Sequence, residues 1–405
     1  MTSKIQIPKS KFQNLKVSGF KFSAVSAGIK TPGRKDLCLI SSEAVSNIAG
    51  VFTTNKIKAA PVKLDTSKIA SGKGQAIIAN SGNANACTGA RGMKDAKETA
   101  ASLAKELGIS PMLVYVASTG VIGHPLPAGN IKTAIPGLVK KLSVHSLPDA
   151  ADAIMTTDTF PKIVSRKINI NGKTGTIAGI AKGAGMISPN MATMLCFIVT
   201  DIAVEPNALN SALKNAVKTT FNMLTIDNDM STNDTVLLMA NGALKNSPLR
   251  KNSPSYRKFK NALTEVSYNL TKMIAMDGEG ATKLIEVIVK GARTEADAEK
   301  VCRAIANSLL VKTAIYGQDP NWGRIMAAIG YSGADVQEEK ISISLNGLKL
   351  VSRGKGRGNE ASLRKTLSKN EIIITVDLSL GKKEARVLTC DLTEGYIKIN
   401  ASYTT

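Results

Sequence analysis

The sequence predicts a mixed α/β protein with a large hydrophobic core. Short runs of β-branched residues alternate with amphipathic segments of helical spacing along most of the chain. Towards the C-terminus, residues 339–351 and 371–381 alternate between apolar and polar side chains, as half-buried strands do. A chain of 405 residues with 43% hydrophobic residues is long enough for one large domain or two.

The individual elements follow from local patterns. Apolar and β-branched runs predict strands at 50–55, 76–79, 113–117 and 196–200. Apolar residues at helical spacing predict helices at 93–108, 207–220 and 295–309, the first of which ends at a glycine.

Two less regular stretches and a domain boundary complete the prediction. Residues 118–127 are predicted to form a loop, and the basic, Pro- and Ser-containing residues 245–260 a surface connection. We place a boundary near residue 285. It separates a main domain, residues 1–284, from a C-terminal α+β domain, residues 285–405.

The chain is strongly basic, with a net charge of +22 and eight Lys or Arg residues but no acid among residues 1–35. Such an excess can attract nucleic acid or an anionic surface. However, only 4% of residues are aromatic, the basic residues are spread along the whole chain, and no nucleic-acid-binding signature occurs. No apolar run reaches the roughly 18 residues of a membrane span, and the lysine-rich start does not resemble a transit peptide. We therefore expect a cytoplasmic basic enzyme that binds neither nucleic acid nor membrane.

The cysteines show no paired spacing, which predicts reduced thiols rather than disulfides or a metal site. They are Cys38, Cys87, Cys196, Cys302 and Cys390. Because the only histidines are His124 and His145, a catalytic triad or a histidine metal site has few ways to form. What remains is a nucleophile that supplies its own base.

Thr193, within the stretch KGAGMISPNMATMLCFIVTD, is such a candidate. A threonine at the start of a chain has a free α-amine with a pKa of about 7.7 to 8.0, so this amine can accept the hydroxyl proton near neutral pH. Thr193 would gain that amine only if the bond between Ala192 and Thr193 were cut. Small Ala192 and the glycines at 183 and 185 suit such a cut. The alternative is that Thr193 merely begins a buried strand.

Other stretches carry candidate binding groups, each with a plain structural alternative. Residues 118–123, STGVIG, could present backbone N–H groups to an oxyanion or form a tight turn. The threonine-rich residues 155–162 fit either a polar ligand or a capped loop. Lys182 could hold a carboxylate or point into solvent. Asp277 and Glu279, in a glycine-flexed loop, could hold an ammonium group or belong to a simple turn.

Nine blocks in order resemble the ornithine acetyltransferase family, the glutamate N-acetyltransferases of arginine biosynthesis. The blocks are AGVFTTNKIKAAPV (49–62), ANSGNANACTG (79–89), STGVIG (118–123), IMTTDTFPK (154–162), AKGAGMISPNMATMLCFIVTD (181–201), NDMSTNDTV (228–236), MDGEGATK (276–283), AIYGQDPNWGRIMAAIGYSG (314–333) and the terminal INASYTT. The resemblance therefore spans nearly the whole chain.

The resemblance implies a self-cleaving precursor. Cleavage between Ala192 and Thr193 would give an α chain, residues 1–192, and a β chain from residue 193, with Thr193 as the nucleophile of both cleavage and catalysis. Thr119 and Gly120 match the oxyanion hole of the family. The matching substrate-binding residues are Thr156, Lys182, Thr193, Glu279, Asn400 and Thr405.

The implied reaction moves an acetyl group from N2-acetyl-L-ornithine to L-glutamate through acetyl-Thr193. The implied fold has a layered α/β/β/α core, shared with self-cleaving aminopeptidases, and the implied assembly is an α2β2 heterotetramer without a metal or organic cofactor. Family members differ in whether they also use acetyl-CoA, and no residue here decides this. Two rivals stay open: a self-cleaving aminopeptidase or amidase with the same nucleophile, and a non-enzymatic basic binding protein.

Overall fold

A computed structural model describes residues 12, 14–188 and 194–402. In these ranges it contains fourteen strands and eleven helices. The strands are β1 (Phe20–Val25), β2 (Leu37–Phe52), β3 (Lys73–Asn83), β4 (Val114–Val121), β5 (Lys162–Ile170), β6 (Lys173–Lys182), β7 (Leu195–Thr200), β8 (Thr235–Ala240), β9 (Leu284–Ala292), β10 (Ser342–Leu345), β11 (Leu348–Ser352), β12 (Lys355–Gly356), β13 (Glu371–Asp377) and β14 (Lys383–Cys390). The helices are α1 (Ala60–Lys68), α2 (Gly89–Leu107), α3 (Ala128–Lys140), α4 (Leu147–Ala153), α5 (Pro206–Thr219), α6 (Pro254–Met276), α7 (Glu295–Asn307), α8 (Leu309–Tyr316), α9 (Trp322–Gly330), α10 (Glu360–Leu367) and α11 (Glu394–Ser402).

The first eight strands form one sheet, in the order β4-β3-β2-β8-β7-β6-β5, with β1 also paired to β2. The 16-residue strand β2 joins the two halves of this sheet, because its first part pairs with β1 and β3 and its last part with β8. The pairing with β3 shifts register between Ser41 and Ser46. A bulge of this kind bends a strand, and it lies where β2 passes from one half to the other.

The two halves of the sheet face each other across a shared core. Ile77 of β3, Phe197 of β7 and Leu237 of β8 pack together in this inner layer. Side chains alternate across a strand, so Ile78 points outwards, towards α1, α2 and α3. Ile198 likewise packs outwards, against α5 and α6. The layers thus run helix, sheet, sheet, helix, which confirms the expected α/β/β/α core.

The remaining six strands form a second sheet, in the order β12-β11-β10-β13-β9-β14. Strands β9 and β13 are parallel, whereas β14 and β10 run antiparallel to their neighbours. Helices α7 to α10 and this sheet share a separate hydrophobic cluster that includes Val287, Val301 and Ile374. The first strand of the second sheet starts at Leu284, close to the boundary near residue 285, which stays a prediction.

Most predicted elements are present with shifted ends, and two predictions were wrong in extent. The predicted loop at 118–127 begins later, since β4 continues to Val121 beside β3. The predicted connection at 245–260 ends early, since α6 begins at Pro254. There Ser253 caps the helix by accepting the N–H of Tyr256 at 3.1 Å, and proline suits the first helical position.

None of the helices in the described ranges has both the length and the apolar composition needed to cross a membrane.

Candidate active site

The ends of strands from both halves of the first sheet, together with α11, enclose a cavity of about 220 Å³. It is lined by Ala84, Thr119, Gly120, Ile122, Thr156, Thr157, Lys182, Gly185, Met186, Asp227, Asp229, Ser231, Asn233, Glu279, Tyr396 and Asn400. Sites for drug-sized ligands typically measure about 300 to 1,000 Å³. The cavity therefore suits a small, polar molecule.

Thr119 and Gly120 lie at the end of β4, opposite Ser81 and Gly82 of β3. Gly120 has a φ of 132°, and a Cβ atom at this position would lie 2.3 Å from the carbonyl carbon of Gly82. Only glycine fits such a close approach of two backbones. The cavity wall at this point therefore consists of main chain, as an oxyanion hole requires.

Lys182 is the last residue of β6, and its Nζ donates a hydrogen bond to Thr119 Oγ1 at 3.3 Å. The side chain is only 4% exposed. Burial lowers the pKa of Lys182, and the positive charge of Lys162 adds to this effect, although Asp158 and Glu279 oppose it. In the described part of the chain, Thr119 is the hydrogen-bond acceptor of this ammonium group. An ammonium has three donors, so capacity is left for a ligand.

A buried ion-pair network lies directly behind Lys182. Lys162 Nζ is 2.6 Å from a carboxylate oxygen of Asp158 and 2.6 Å from one of Asp277. Asp158 also accepts the N–H of Gly183 at 2.7 Å and that of Thr156 at 2.9 Å. Burial opposes its ionisation, but Lys162, Lys182 and the N–H of Gly183 together hold the pKa of Asp158 well below its usual range. The network fixes the loop that carries Thr156 against the end of β6.

Glu279 and Asn400 form a second polar wall. Asn400, on α11, donates from Nδ2 to Glu279 Oε2 at 2.8 Å. The N–H of Glu279 donates to the carbonyl of Ala184 at 2.8 Å, which ties the loop after α6 to the turn after β6. A Cβ atom on Gly185 would lie 2.3 Å from the Glu279 carboxylate, so a glycine is needed for Glu279 to reach the cavity. The wall can accept a positively charged group.

Some predicted residues fall elsewhere. Ala192, Thr193 and Thr405 lie outside the described residues. Asp277 does hold an ammonium group, but it is that of Lys162, and only Glu279 of the predicted pair lines the cavity. Lys182 is buried, so the alternative that it points into solvent was wrong.

The thiols and histidines stand apart from the cavity lining. Burial raises the pKa of Cys38 and Cys302 to about 12 and that of Cys390 to about 11. Cys196 is buried as well, whereas Cys87 is exposed. Within the described ranges, no group of three or more His, Cys, Asp or Glu side chains could hold a metal ion.

Several residues of the cavity wall were not predicted from the sequence. Asp229 and Asn233 lie in the block NDMSTNDTV, which carried the resemblance but received no role, and Asp227 immediately precedes that block. Tyr396 lies four residues before Asn400 on α11, so both fall on one helix face. That spacing was the available signal for Tyr396.

A protein-family model described as the ArgJ family matches residues 21–405 of this chain. The chain belongs to the ArgJ family. This confirms the resemblance inferred from the nine blocks. It also confirms the expectation of an acyltransferase enzyme rather than a non-enzymatic basic protein.

Similar ArgJ proteins cover 96% to 100% of the chain. The arginine biosynthesis bifunctional protein ArgJ of Geobacter sulfurreducens is 54% identical over 393 residues, which are 96% of this chain and 100% of that protein. The protein of the same name from Caldanaerobacter subterraneus is 50% identical over 410 aligned positions, which cover 100% and 99% of the two chains. A crystal structure of ArgJ from Bacillus halodurans is 42% identical, with a TM-score of 0.50, and covers 51% of this chain and 98% of that chain.

Proposed function

We propose that this ArgJ chain cuts itself between Ala192 and Thr193 and then transfers an acetyl group from N2-acetyl-L-ornithine to L-glutamate through acetyl-Thr193. The observation that carries the proposal is the cavity, where Thr119, Gly120, Lys182, Glu279 and Asn400 meet. Its polar groups match an acetylated amino acid, which presents a carboxylate, an acetyl carbonyl and a second charged end.

The chemistry begins with the free amine that cleavage creates. This amine accepts the proton of the Thr193 hydroxyl, and the oxygen attacks the acetyl carbonyl of N-acetylornithine. The oxyanion is held by Thr119 and the main chain at Gly120, where one lost donor typically costs about 100- to 1,000-fold in rate. The bond to the α-nitrogen breaks, and ornithine leaves with the proton. The α-amine of glutamate then attacks the ester, which restores the hydroxyl of Thr193 and forms N-acetylglutamate.

Charge within the cavity explains how one site serves both substrates. Ornithine and glutamate share an α-carboxylate next to the amine that loses or gains the acetyl group. We assign that carboxylate to Lys182, whose ammonium is buried beside Thr119, together with Thr156. We assign the amino group of the substrate to Glu279 and Asn400. Thr405 is the last of the proposed substrate-binding residues.

The length of a solved relative supports the proposed cleavage between Ala192 and Thr193. About half of this chain, 51%, covers 98% of the solved ArgJ chain from Bacillus halodurans, so that chain is about half as long as this one. A cut after Ala192 also divides the 405 residues close to the middle. We further propose that the protein forms an α2β2 heterotetramer and acts in the cytoplasm without a metal or organic cofactor. Acetyl-CoA is a further candidate acetyl donor.

The proposal is tested by incubating the purified protein with N-acetylornithine and glutamate and following all products by mass spectrometry. We expect ornithine and N-acetylglutamate in equal amounts and the parallel double-reciprocal plots of a double displacement. A Thr193→Ala variant should form neither product. Release of ornithine and acetate without N-acetylglutamate would instead identify an amidase.

A further inference from the structure

The chain is anchored just before the proposed cleavage site. Asp227 accepts the N–H of Met186 at 2.6 Å on one carboxylate oxygen and the N–H of Ile187 at 2.7 Å on the other. The carbonyl of Ile187 in turn accepts the N–H of Ile226 at 2.8 Å. Residues 186 and 187 are therefore held by three hydrogen bonds to residues 226 and 227.

The chain is also anchored just after the site. Asp234 is fully buried, and its Oδ1 accepts the N–H of Met194 at 3.0 Å. The carbonyl of Met194 accepts the N–H of Thr235 at 3.0 Å. Met194 follows Thr193 directly in the sequence, so this contact anchors the first described residue after the proposed cleavage site.

Both anchors come from one short segment that does not pass through the bond to be cut. Residues 226–235 hold Met186 and Ile187 at one end and Met194 at the other. When a backbone is cut, the two new ends are free to separate unless other contacts retain them. A continuous segment that binds both sides keeps the ends in place.

We propose that Asp227 and Asp234 are positioning residues for self-cleavage, and that Asp234 afterwards holds the new N-terminus at the cavity. The inference rests on the proposed cleavage at Ala192–Thr193. Neither residue takes part in the bond changes themselves.

The surroundings of the Asp234 carboxyl group suit this role. Burial raises its pKa well above the usual range, against the opposing effects of the Met194 N–H, Thr53 and Lys182. This shift favours the neutral form of the carboxyl group, and in the described part of the chain its Oδ2 has no hydrogen-bond partner. A neutral acceptor anchors Met194 without placing a negative charge beside an amine that has to lose its proton.

The test follows cleavage of newly made chains in a cell-free translation system, with the uncut 42.6 kDa chain measured on denaturing gels over time. Asp234→Ala should slow cleavage about tenfold, the effect of one lost buried hydrogen bond on a barrier. Asp234→Asn keeps a neutral oxygen acceptor and should cut at the wild-type rate. Asp227→Asn keeps only one of two oxygen acceptors and should cut several-fold more slowly.

Asp201→Asn is the matched control. Asp201 is also buried and accepts a backbone N–H, that of Thr176 at 2.8 Å, but at the far ends of β6 and β7. The Asp201→Asn chain should cleave itself at the wild-type rate. The inference is overturned if Asp234→Ala and Asp227→Asn also cut at that rate, or if Asp234→Asn is as slow as Asp234→Ala. Should Asp234→Ala fail to fold, the cleavage rate of the isosteric Asp227→Asn variant still tests the inference. A wild-type chain that stays whole would instead refute the proposed cleavage itself.

Discussion

Lys162 and Lys182 are two buried lysines on neighbouring antiparallel strands, and their surroundings differ. Lys162, at the start of β5, has a carboxylate oxygen 2.6 Å away on each of Asp158 and Asp277. Lys182, at the end of β6, has the hydroxyl of Thr119 at 3.3 Å. The two carboxylates outweigh burial and raise the pKa of Lys162, whereas burial prevails and lowers that of Lys182.

We propose that this difference separates a structural cation from one that binds the substrate. Burying a charge is costly unless a partner compensates for it. Lys162 has its partners within the protein and holds the loop at Asp158 to the end of α6. Lys182 has donors to spare and lines the cavity, so a substrate carboxylate would complete its surroundings.

The largest effect is expected for Lys162→Met. The variant removes the cation that pairs with both Asp158 and Asp277, and breaking a buried pair typically costs about 3–5 kcal/mol of unfolding free energy. Urea unfolding measures this loss. Lys35→Met is the control, since its pair with Asp149 is about 40% exposed on each side, and it should lose far less. Equal losses would contradict a structural role for the buried network.

Lys182→Met should affect activity rather than stability. The variant removes a desolvated cation that forms no ion pair with a carboxylate of the described residues, although its charge also favours ionised Asp158. The unfolding free energy should therefore change far less than in Lys162→Met. The acetyl-transfer kcat/KM should fall about 100- to 1,000-fold, because a charged partner of the substrate carboxylate is lost. If Lys182→Met is as unstable as Lys162→Met while retaining activity, the two lysines have the same role.

The smallest effect is expected in the pH dependence of stability. The pKa of Asp158 is lower in the folded than in the unfolded chain. Its contribution to stability is therefore present above the unfolded pKa of about 3.9 and is lost as the pH falls from there towards the folded value. Asp158→Asn should lose less unfolding free energy than wild type between pH 6 and pH 3. Asp277, whose pKa burial raises, acts in the opposite direction in both proteins. The charge of Asp158 adds to that rise, so its removal in Asp158→Asn makes the expected difference smaller.

Urea unfolding at the two pH values provides the comparison. Asp149→Asn, at an exposed ion pair, should follow the wild-type pH profile. Parallel losses in wild type and Asp158→Asn would show that Asp158 does not sense the charge of Lys162.

Local sequence predicted the elements that depend on local patterns. The end of α2 at Gly108 was visible because a glycine takes up the left-handed conformation there, with a φ of 66°. Strand β7 was visible as an apolar run. The length of β2 was hidden, because residues 41–47 are mostly polar and their pairing partners lie on two distant strands.

The cavity depended on contacts that no short stretch contains. Lys162 and Asp277 are far apart in the sequence but meet at 2.6 Å, and Asn400 meets Glu279 at 2.8 Å. Local patterns did not decide whether Lys182 binds a ligand or points into solvent. Only the resemblance to a family placed Lys182 with Thr119 and Glu279. The start of α6 carried a local signal in Ser253 and Pro254 that its basic surroundings obscured.

The most direct test of the central claim is an intact mass spectrum of the purified protein combined with N-terminal sequencing. We predict two polypeptides, the second of which begins Thr193-Met194-Leu195, and one added acetyl mass on the second after incubation with N-acetylornithine alone. An active protein that is continuous through residues 192 and 193 would contradict the account, because Thr193 would then have no amine to serve as its base.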